Sequence, residues 1–285
     1  LANRAAGSRS STLFSVTSPD YAWGHRYAGR MMPGRSLQDG VRALSLSTAA
    51  SLTQALGWQE LHSRANRPLM ELAEMQPVTA QWWRERRKQP GSFTYLALGD
   101  STAQGIGAST PGRSYVGQLA DRIKTHLGAP IRVVNLGVSG STTALCARDQ
   151  LPKALKVLAQ KPELVTLAIG ANDIALWNPV AFHRNVSQII DTLPDHTIVA
   201  ELPCFHLPWN EKLVRQANRM VHVIAESRGL QVVPLHAATK QRGVHGILTE
   251  FAQDAFHPND RGYEVWADAF WPFVRDRVDS ARTAS

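Results

Sequence analysis

The residues with the clearest chemical potential are a serine and a histidine-aspartate pair that lie far apart in the chain. Ser101 closes the tripeptide Gly99-Asp100-Ser101, and His257 follows Asp254 by three residues in "DAFHPND". A serine hydroxyl is a weak nucleophile until a base removes its proton, and an imidazole held by a carboxylate is such a base. These residue types predict acyl transfer or hydrolysis with Ser101 as nucleophile, His257 as general base and Asp254 as its support.

A tetrahedral intermediate also needs hydrogen-bond donors for its oxyanion. Two further segments offer them: "GVSGSTT" at 137–143, which contains Gly140, and "GANDIA" at 170–175, which contains Asn172. The expected donors are the backbone N–H groups of Ser101 and Gly140 and the side-chain amide of Asn172. Each segment alone is also compatible with a simple turn, and only their combination favours an active site.

The elements that must position these residues alternate along the chain from Ser92 onward. Short apolar runs typical of buried parallel strands occur at 93–98, 131–136, 164–169, 196–202 and 230–235. Helical patterns lie between them, and a last amphipathic helix carries Tyr263, Trp266, Phe270 and Val274. The pattern predicts an α/β fold with three α/β/α layers and a five-stranded parallel sheet, with the chemical residues at the carboxyl ends of its strands.

The blocks "GDS", Gly140 in "VSGSTT", "GAND" and "DAFHPN" resemble the GDSL or SGNH hydrolases in motif, order and spacing over about residues 93–279. The resemblance implies a flavodoxin-like fold and a serine esterase or lipase with a Ser-His-Asp triad, no metal in the mechanism and no cofactor. It assigns the nucleophile to Ser101, the oxyanion donors to Ser101, Gly140 and Asn172, and the other triad positions to Asp254 and His257. One departure is Thr102, which stands where the family name expects Leu, and we expect it to affect local packing.

The substrate is less well defined than the reaction. Trp177, Phe205 and Trp209 lie in the loops after the third and fourth strands and are candidates for an apolar acyl pocket, although aromatic residues there also serve simple packing. The small residues from Ala103 to Ala108 are expected to leave room for substrate. Short or medium acyl esters are the expected substrates, and thioesters, lysophospholipids and sugar acetates stay open, as does a non-catalytic module of the same fold that binds acylated glycans.

Charge and composition argue against a nucleic-acid partner for the main domain. Residues 1–92 carry 12 Lys/Arg against 6 Asp/Glu, whereas residues 93–285 carry 19 against 17, so the excess of positive charge lies in the N-terminal third. We interpret residues 1–91 as an extension, disordered to about Ala50 and helical between Val41 and Met75, and residues 92–285 as the hydrolase domain. The run "WWRERRKQPG" at 82–91 is predicted to be a solvated connector, with weak membrane-surface contact by the basic segment as an alternative.

Other functional classes fit the sequence poorly. The glycine spacing after the first strand matches neither a dinucleotide fingerprint nor a phosphate loop, and G-x-S-x-G is absent. Cys204 with His206 is too small a set for a zinc site, and five of the ten histidines form no cluster at metal-ligand spacing: His183, His206, His222, His236 and His245. No segment has the roughly 18 consecutive apolar residues of a membrane span. Two widely spaced cysteines and no recognisable secretion signal favour a reducing, cytoplasmic compartment.

Overall fold

A computed structural model describes residues 74–206 and 208–283 of the chain. All of these residues belong to one compact unit. The predicted tail over residues 1–50 and nearly all of the helical pattern between Val41 and Met75 lie outside them. Within the described part of the chain, no helix combines the length and the apolar character that crossing a membrane requires.

The centre of the unit is a sheet of five parallel strands in the order β2-β1-β3-β4-β5. The predicted fold class is confirmed, and the order is that of the flavodoxin-like doubly wound folds. The fifth strand is shorter than predicted because Pro234 lacks an N–H group and a helix begins at Leu235. The strands are β1 (Phe93–Gly99), β2 (Ile131–Asn135), β3 (Leu164–Ala168), β4 (Thr197–Ala200) and β5 (Gln231–Val233).

Helices connect the strands and cover both faces of the sheet. Two 3₁₀ turns, Pro111–Arg113 and Ala171–Leu176, and a π-helical turn, Cys146–Gln150, interrupt the regular helices. The α-helices are α1 (residues 74–86), α2 (Ser101–Gln104), α3 (Tyr115–Leu127), α4 (Thr143–Leu145), α5 (Leu151–Leu158), α6 (Pro179–Thr192), α7 (Pro208–Ser227), α8 (Leu235–Lys240), α9 (Gly243–Thr249) and α10 (Asp260–Thr283).

Alternate residues of β1 supply two separate apolar cores, one on each face of the sheet. Tyr95 and Ala97 pack on the side that α3 and α10 cover, where the rings of Tyr115 and Phe270 stack with centroids 5.2 Å apart. Leu96 belongs to the opposite core, which α5, α6 and α7 cover. Because side chains alternate in direction along a strand, a nearly continuous apolar run serves both layers.

Helix α1 differs from its prediction as a solvated connector. Residues 82–86 are helical, and Trp83 is buried in the core on the α3 and α10 side. Its indole Nε1 donates a hydrogen bond of 2.8 Å to the carbonyl oxygen of Gln104, directly after β1. The connector prediction is therefore wrong for Trp83: the charges around it occupy the solvent side of a helix whose other side packs on the sheet domain.

The polar segments predicted to carry chemistry lie at the carboxyl edge of the sheet. Ser101 follows β1 and Asn172 follows β3, and these two neighbouring strands flank the point at which the strand order reverses. In open α/β sheets this switch point is where ligands bind, because the loops on its two sides diverge and leave a crevice.

Candidate active site

The turn after β1 presents Ser101 at the first position of α2. The Asp100 carboxylate caps this short helix: its Oδ1 accepts hydrogen bonds from the backbone N–H of Thr102 at 2.9 Å and from the Thr102 hydroxyl at 2.7 Å. Burial raises the pKa of Asp100 above its ordinary value, and the Thr102 bonds oppose that rise. The Thr102 hydroxyl thus gives the capping carboxylate a second donor, which a leucine side chain would lack.

Ser101, His257 and Asp254 lie in one hydrogen-bonded line. His257 Nε2 is 2.9 Å from Ser101 Oγ, and His257 Nδ1 is 2.5 Å from Asp254 Oδ2. Asp254 Oδ1 accepts two backbone N–H groups at 3.0 Å, from Phe256 and from His257 itself. Burial acts to raise the pKa of Asp254, but the hydrogen bonds and charge of His257 outweigh it, so the pKa lies below its ordinary value and the carboxylate is ionised.

The loop that carries His257 is fixed from two sides. Asn259 donates its side-chain amide to the carbonyls of Thr249 and Phe251, at 2.9 and 3.0 Å, while its Oδ1 accepts N–H groups in the first turn of α10. Gly107 backs the loop from the β1 side: a Cβ there would lie 2.5 Å from the Pro258 carbonyl and 2.9 Å from His257 Cβ. Its φ of +93° is also in the left-handed region that favours glycine.

Gly140 occupies the tip of a loop, residues 137–143, that three separate side chains anchor. Gln104 Oε1 accepts the Ser139 N–H at 2.8 Å, Gln150 Nε2 lies 3.0 Å from Ser141 Oγ, and Asn172 Nδ2 donates to the Ser141 carbonyl at 2.9 Å. Gly140 itself has φ +76°, and within the described residues no atom lies within 4 Å of a Cβ built there. The hydrogen bonds therefore fix the loop on both sides of Gly140, while the space next to its Cα stays open. This arrangement suits a backbone N–H that donates to a substrate.

Asn172 contributes to this loop while keeping a second donor hydrogen that no residue in the described ranges accepts. A side-chain amide carries two N–H groups, and only one is needed for the bond to Ser141. The neighbouring Asp173 accepts both the backbone N–H and the hydroxyl of Thr143, at 2.9 and 2.6 Å, and so ties the turn after β3 to the start of α4. Burial raises the pKa of Asp173, opposed by these same bonds.

Two buried glutamines position the site and were not found by sequence reasoning. Gln150, in the π-helical turn, accepts the Gly99 N–H at 3.1 Å and donates to the Gly99 carbonyl at 2.7 Å, so it fixes the end of β1 as well as Ser141. Gln104 links Ser139 to α1, because its amide also donates to the Gln76 carbonyl at 3.2 Å. Glutamine belongs to none of the motifs, and apart from the Gln150–Ser141 bond each contact spans at least 28 residues, so no local pattern marks these side chains.

The small residues from 103 to 108 serve a different purpose from the one predicted. Ala103, Ile106 and Ala108 are almost fully buried, and Gly105 faces the Ser114 side chain. The prediction that this segment leaves room for substrate is therefore wrong. Its small residues let the chain after Ser101 pack closely against the His257 loop.

The predicted pocket aromatics have mixed surroundings. Trp177 packs on Phe182 with ring centroids 5.0 Å apart and donates its indole N–H to Gln216 at 3.3 Å, and Phe205 packs on the same side of the sheet. The side chain of Trp209 lies outside the described residues. Phe256, which the sequence reasoning passed over, is 46% exposed and lies edge-on to His257 with centroids 5.0 Å apart. It is an apolar surface directly beside the imidazole.

Known proteins are similar to this chain in both sequence and fold. The profile of the GDSL-like lipase/acylhydrolase family matches residues 97–265, more than half of the chain. An acetylxylan esterase of Geobacillus stearothermophilus is 30% identical over 177 residues, an alignment that covers 55% of this chain and 77% of the esterase.

Three solved structures illustrate the similarity in fold. LAE5, an α/β hydrolase from the metagenome of Lake Arreo, has a TM-score of 0.53 at 22% identity and covers 66% of this chain and 97% of its own. TesA has a TM-score of 0.53 at 23% identity, and the match covers 65% of this chain and 99% of TesA. Axe2, an acetylxylan esterase from Geobacillus stearothermophilus, has a TM-score of 0.52 at 22% identity, with 65% and 94% covered. At these identities the structural likeness supports the fold.

Proposed function

The chain belongs to the GDSL-like lipase/acylhydrolase family and hydrolyses carboxylic esters, and from this premise we propose that it does so through an acyl-enzyme on Ser101. The observation that carries the proposal is the line of short contacts from Ser101 Oγ through the His257 ring to Asp254 Oδ2. At these distances the imidazole can take the serine proton, and the carboxylate can orient the ring and stabilise the imidazolium that forms.

The proposed reaction has two halves. His257 Nε2 takes the proton of Ser101 Oγ as that oxygen attacks the ester carbonyl, and the imidazolium then gives the proton to the departing alcohol as the C–O bond breaks. In the second half, His257 removes a proton from water, the resulting hydroxide attacks the acyl-Ser101 carbonyl, and the proton returns to Ser101 Oγ when the free acid leaves. Asp254, held by two backbone N–H groups, keeps the ring oriented and stabilises its charged form.

The proposed oxyanion hole consists of the N–H groups of Ser101 and Gly140 and the second amide hydrogen of Asn172. Its advantage is preorganisation: Gln104, Gln150 and Asn172 hold the Gly140 loop before substrate arrives. Donors already fixed at the position where charge develops need no reorganisation during the reaction, and such groups usually contribute the largest share of catalysis.

We propose short to medium acyl chains, with acetate groups on carbohydrate as the second candidate. The support for the second is the 30% identity with a relative named as an acetylxylan esterase. The exposed ring of Phe256 beside His257 supplies an apolar surface for either an acyl chain or the face of a sugar. Trp177 and Phe205 remain candidates for the pocket wall.

The test is hydrolysis of a p-nitrophenyl ester series, from acetate upward, together with acetylated xylo-oligosaccharides, at about pH 8, where histidine side chains are ordinarily uncharged. Ser101→Ala should abolish turnover on every substrate. The matched control is Ser227→Ala, which removes a hydroxyl near the end of α7 that donates to the Ile224 carbonyl. Ser227→Ala should retain wild-type rates.

Two results would refute the proposal. Wild-type rates in folded Ser101→Ala would remove Ser101 from the reaction. A folded wild type with no turnover on any ester, but with retention of acetylated glycans on a column, would favour the binding module instead.

A further inference from the structure

Three side chains of metal-ligating type converge beyond the carboxyl ends of β4 and β5. Cys204 lies in the loop after β4, Glu211 in the first turn of α7 and His236 in the first turn of α8. One donor atom of each lies within 4.8 Å of the others. The Glu211 and His236 side chains are only 12% and 13% exposed, and Cys204 is buried. Thiolate, imidazole and carboxylate are the three ligand types that zinc takes in proteins.

His206 lies beside the sulfur of this cluster, although the three mutually close donors belong to Cys204, Glu211 and His236. Its Nδ1 lies 3.6 Å from Cys204 Sγ. Zinc bonds of about 2.3 Å to sulfur and about 2.0–2.1 Å to nitrogen, at a tetrahedral angle, place the two ligand atoms about 3.5 to 3.6 Å apart. His206 holds this position with φ +56°, a conformation that residues other than glycine adopt at a cost. The sulfur and nitrogen are therefore already at the separation that a shared zinc ion requires.

Hydrogen bonds around the cluster orient two of the ligands. The Cys204 N–H donates to Thr239 Oγ1 at 2.8 Å, which fixes the backbone under the sulfur. The Phe205 N–H donates to Glu211 Oε1 at 2.8 Å, which leaves Glu211 Oε2 facing His236 Nε2, also at 2.8 Å. Partners that fix one atom of a ligand and leave the other free are the usual second layer of a metal site.

A purely structural interpretation accounts for part of this arrangement. Glu211 and His236 alone would form an ordinary ion pair, and a zinc ion would have to separate Oε2 and Nε2 to about 3.3 Å. The ion pair does not explain why the Cys204 sulfur lies within 4.8 Å of both of its members. A closed site requires in addition that the His206 ring, which already contacts the sulfur, turns toward the other two ligands.

We propose that Cys204, His206, Glu211 and His236 bind one Zn²⁺ ion as a structural site. The four ligands join the loop after β4 to α7 and α8, and Phe205 lies between two of them. Four protein ligands leave no position for water, so the ion takes no part in ester hydrolysis. The proposal is independent of the roles given to Ser101 and His257.

The test uses the full chain, freed of metal with a chelator and then titrated with Zn²⁺ against a chromophoric competitor. Wild type should bind one equivalent. Cys204→Ala and His236→Gln should weaken Zn²⁺ binding by more than about 100-fold. Loss of a residue that only hydrogen-bonds to a ligand costs at most about that factor. Cys146→Ala is the matched control, because Cys146 is the other free cysteine and is buried in the core away from the cluster. It should bind Zn²⁺ as wild type does.

Two further measurements guard against misfolded variants. Glu211→Gln keeps the side-chain shape and the acceptor for Phe205, so it should stay folded by circular dichroism and still lose affinity. Co²⁺ in place of Zn²⁺ should give a thiolate charge-transfer band in wild type and in Cys146→Ala, and none in Cys204→Ala. Failure of the wild type to bind a full equivalent, or wild-type affinity in Cys204→Ala, would overturn the zinc site and leave an ion pair beside a free thiol.

Discussion

Replacement of Asn172 by alanine tests the proposed oxyanion hole most directly. The side-chain amide has one hydrogen on the Ser141 carbonyl and a second one that no described residue accepts, so Asn172→Ala removes an oxyanion donor and one support of the Gly140 loop together. Loss of one such donor costs about 10²- to 10³-fold in kcat, or about 2.7–4 kcal/mol of transition-state stabilisation. Loss of the hydrogen bond to Ser141 should lower the free energy of unfolding by about 1 kcal/mol in addition.

The assay separates these two effects. The steady-state hydrolysis of p-nitrophenyl acetate should show kcat and kcat/KM falling together with KM nearly unchanged, because the interaction forms only in the transition state. Denaturant unfolding measures the stability loss independently. The control is Asn185→Ala, which removes another buried amide nearby, one that donates to Thr143 Oγ1 at 3.3 Å. Asn185→Ala should be destabilised with kcat within a few-fold of wild type.

A kcat of Asn172→Ala within about tenfold of wild type would contradict the proposed donor role, since one lost donor is expected to cost more than that. An equal loss of turnover in Asn185→Ala would contradict it as well. The second result would mean that general loosening of the loop, and not a missing donor, controls the rate.

Three other perturbations have defined outcomes. Gln104→Met keeps the side-chain length but leaves the Ser139 N–H without its acceptor. The free energy of unfolding should therefore fall by about 1–3 kcal/mol, and kcat should fall as well. An unchanged kcat would show that Gln104 does not position the loop. Gly107→Ala and Gly128→Ala both place alanine at positive φ, but among the described residues only the Cβ at position 107 would meet other atoms. Gly128→Ala should therefore lose about 1–2 kcal/mol of stability and keep full activity, whereas Gly107→Ala should lose activity as well. The depressed pKa of Asp254 contributes its full stabilisation above the ordinary pKa of 3.8, and the contribution is lost as pH falls through the lower folded-state pKa. The difference in unfolding free energy between wild type and Asp254→Asn should therefore shrink in acid. A difference that widens there in denaturant titrations would contradict the assignment.

The sequence predicts the scaffold well because the signals for it are local. The strands are largely apolar runs, and Gly128 ends α3 in the left-handed conformation that suits glycine at such a position. The segments with Ser101, Gly140, Asn172 and His257 are recognisable because their residue types suit one reaction and each follows a predicted strand or precedes a helix.

The residues that hold the site in place could not be predicted in the same way. Gln150 acts on Gly99 across 51 positions, and Gln104 acts on Ser139 across 35, so their roles depend on which strands become neighbours. Trp83 was hidden because the charged residues around it dominate the local composition. The cluster of Cys204, Glu211 and His236 exists only once β4 and β5 pair, and the linear spacing of its members gives no hint of it.

The anchoring of α1 affects how the enzyme can be shortened. The family match begins at residue 97 and the first strand at Phe93, so a cut just before either position looks harmless by motif alone. Such a cut would remove the Trp83 indole from the core and the Gln76 carbonyl from Gln104, the same side chain that holds Ser139 beside the proposed oxyanion hole. Trimming for crystallisation or expression should therefore start upstream of residue 74, and a protease that nicks the 87–92 link should leave the two fragments associated.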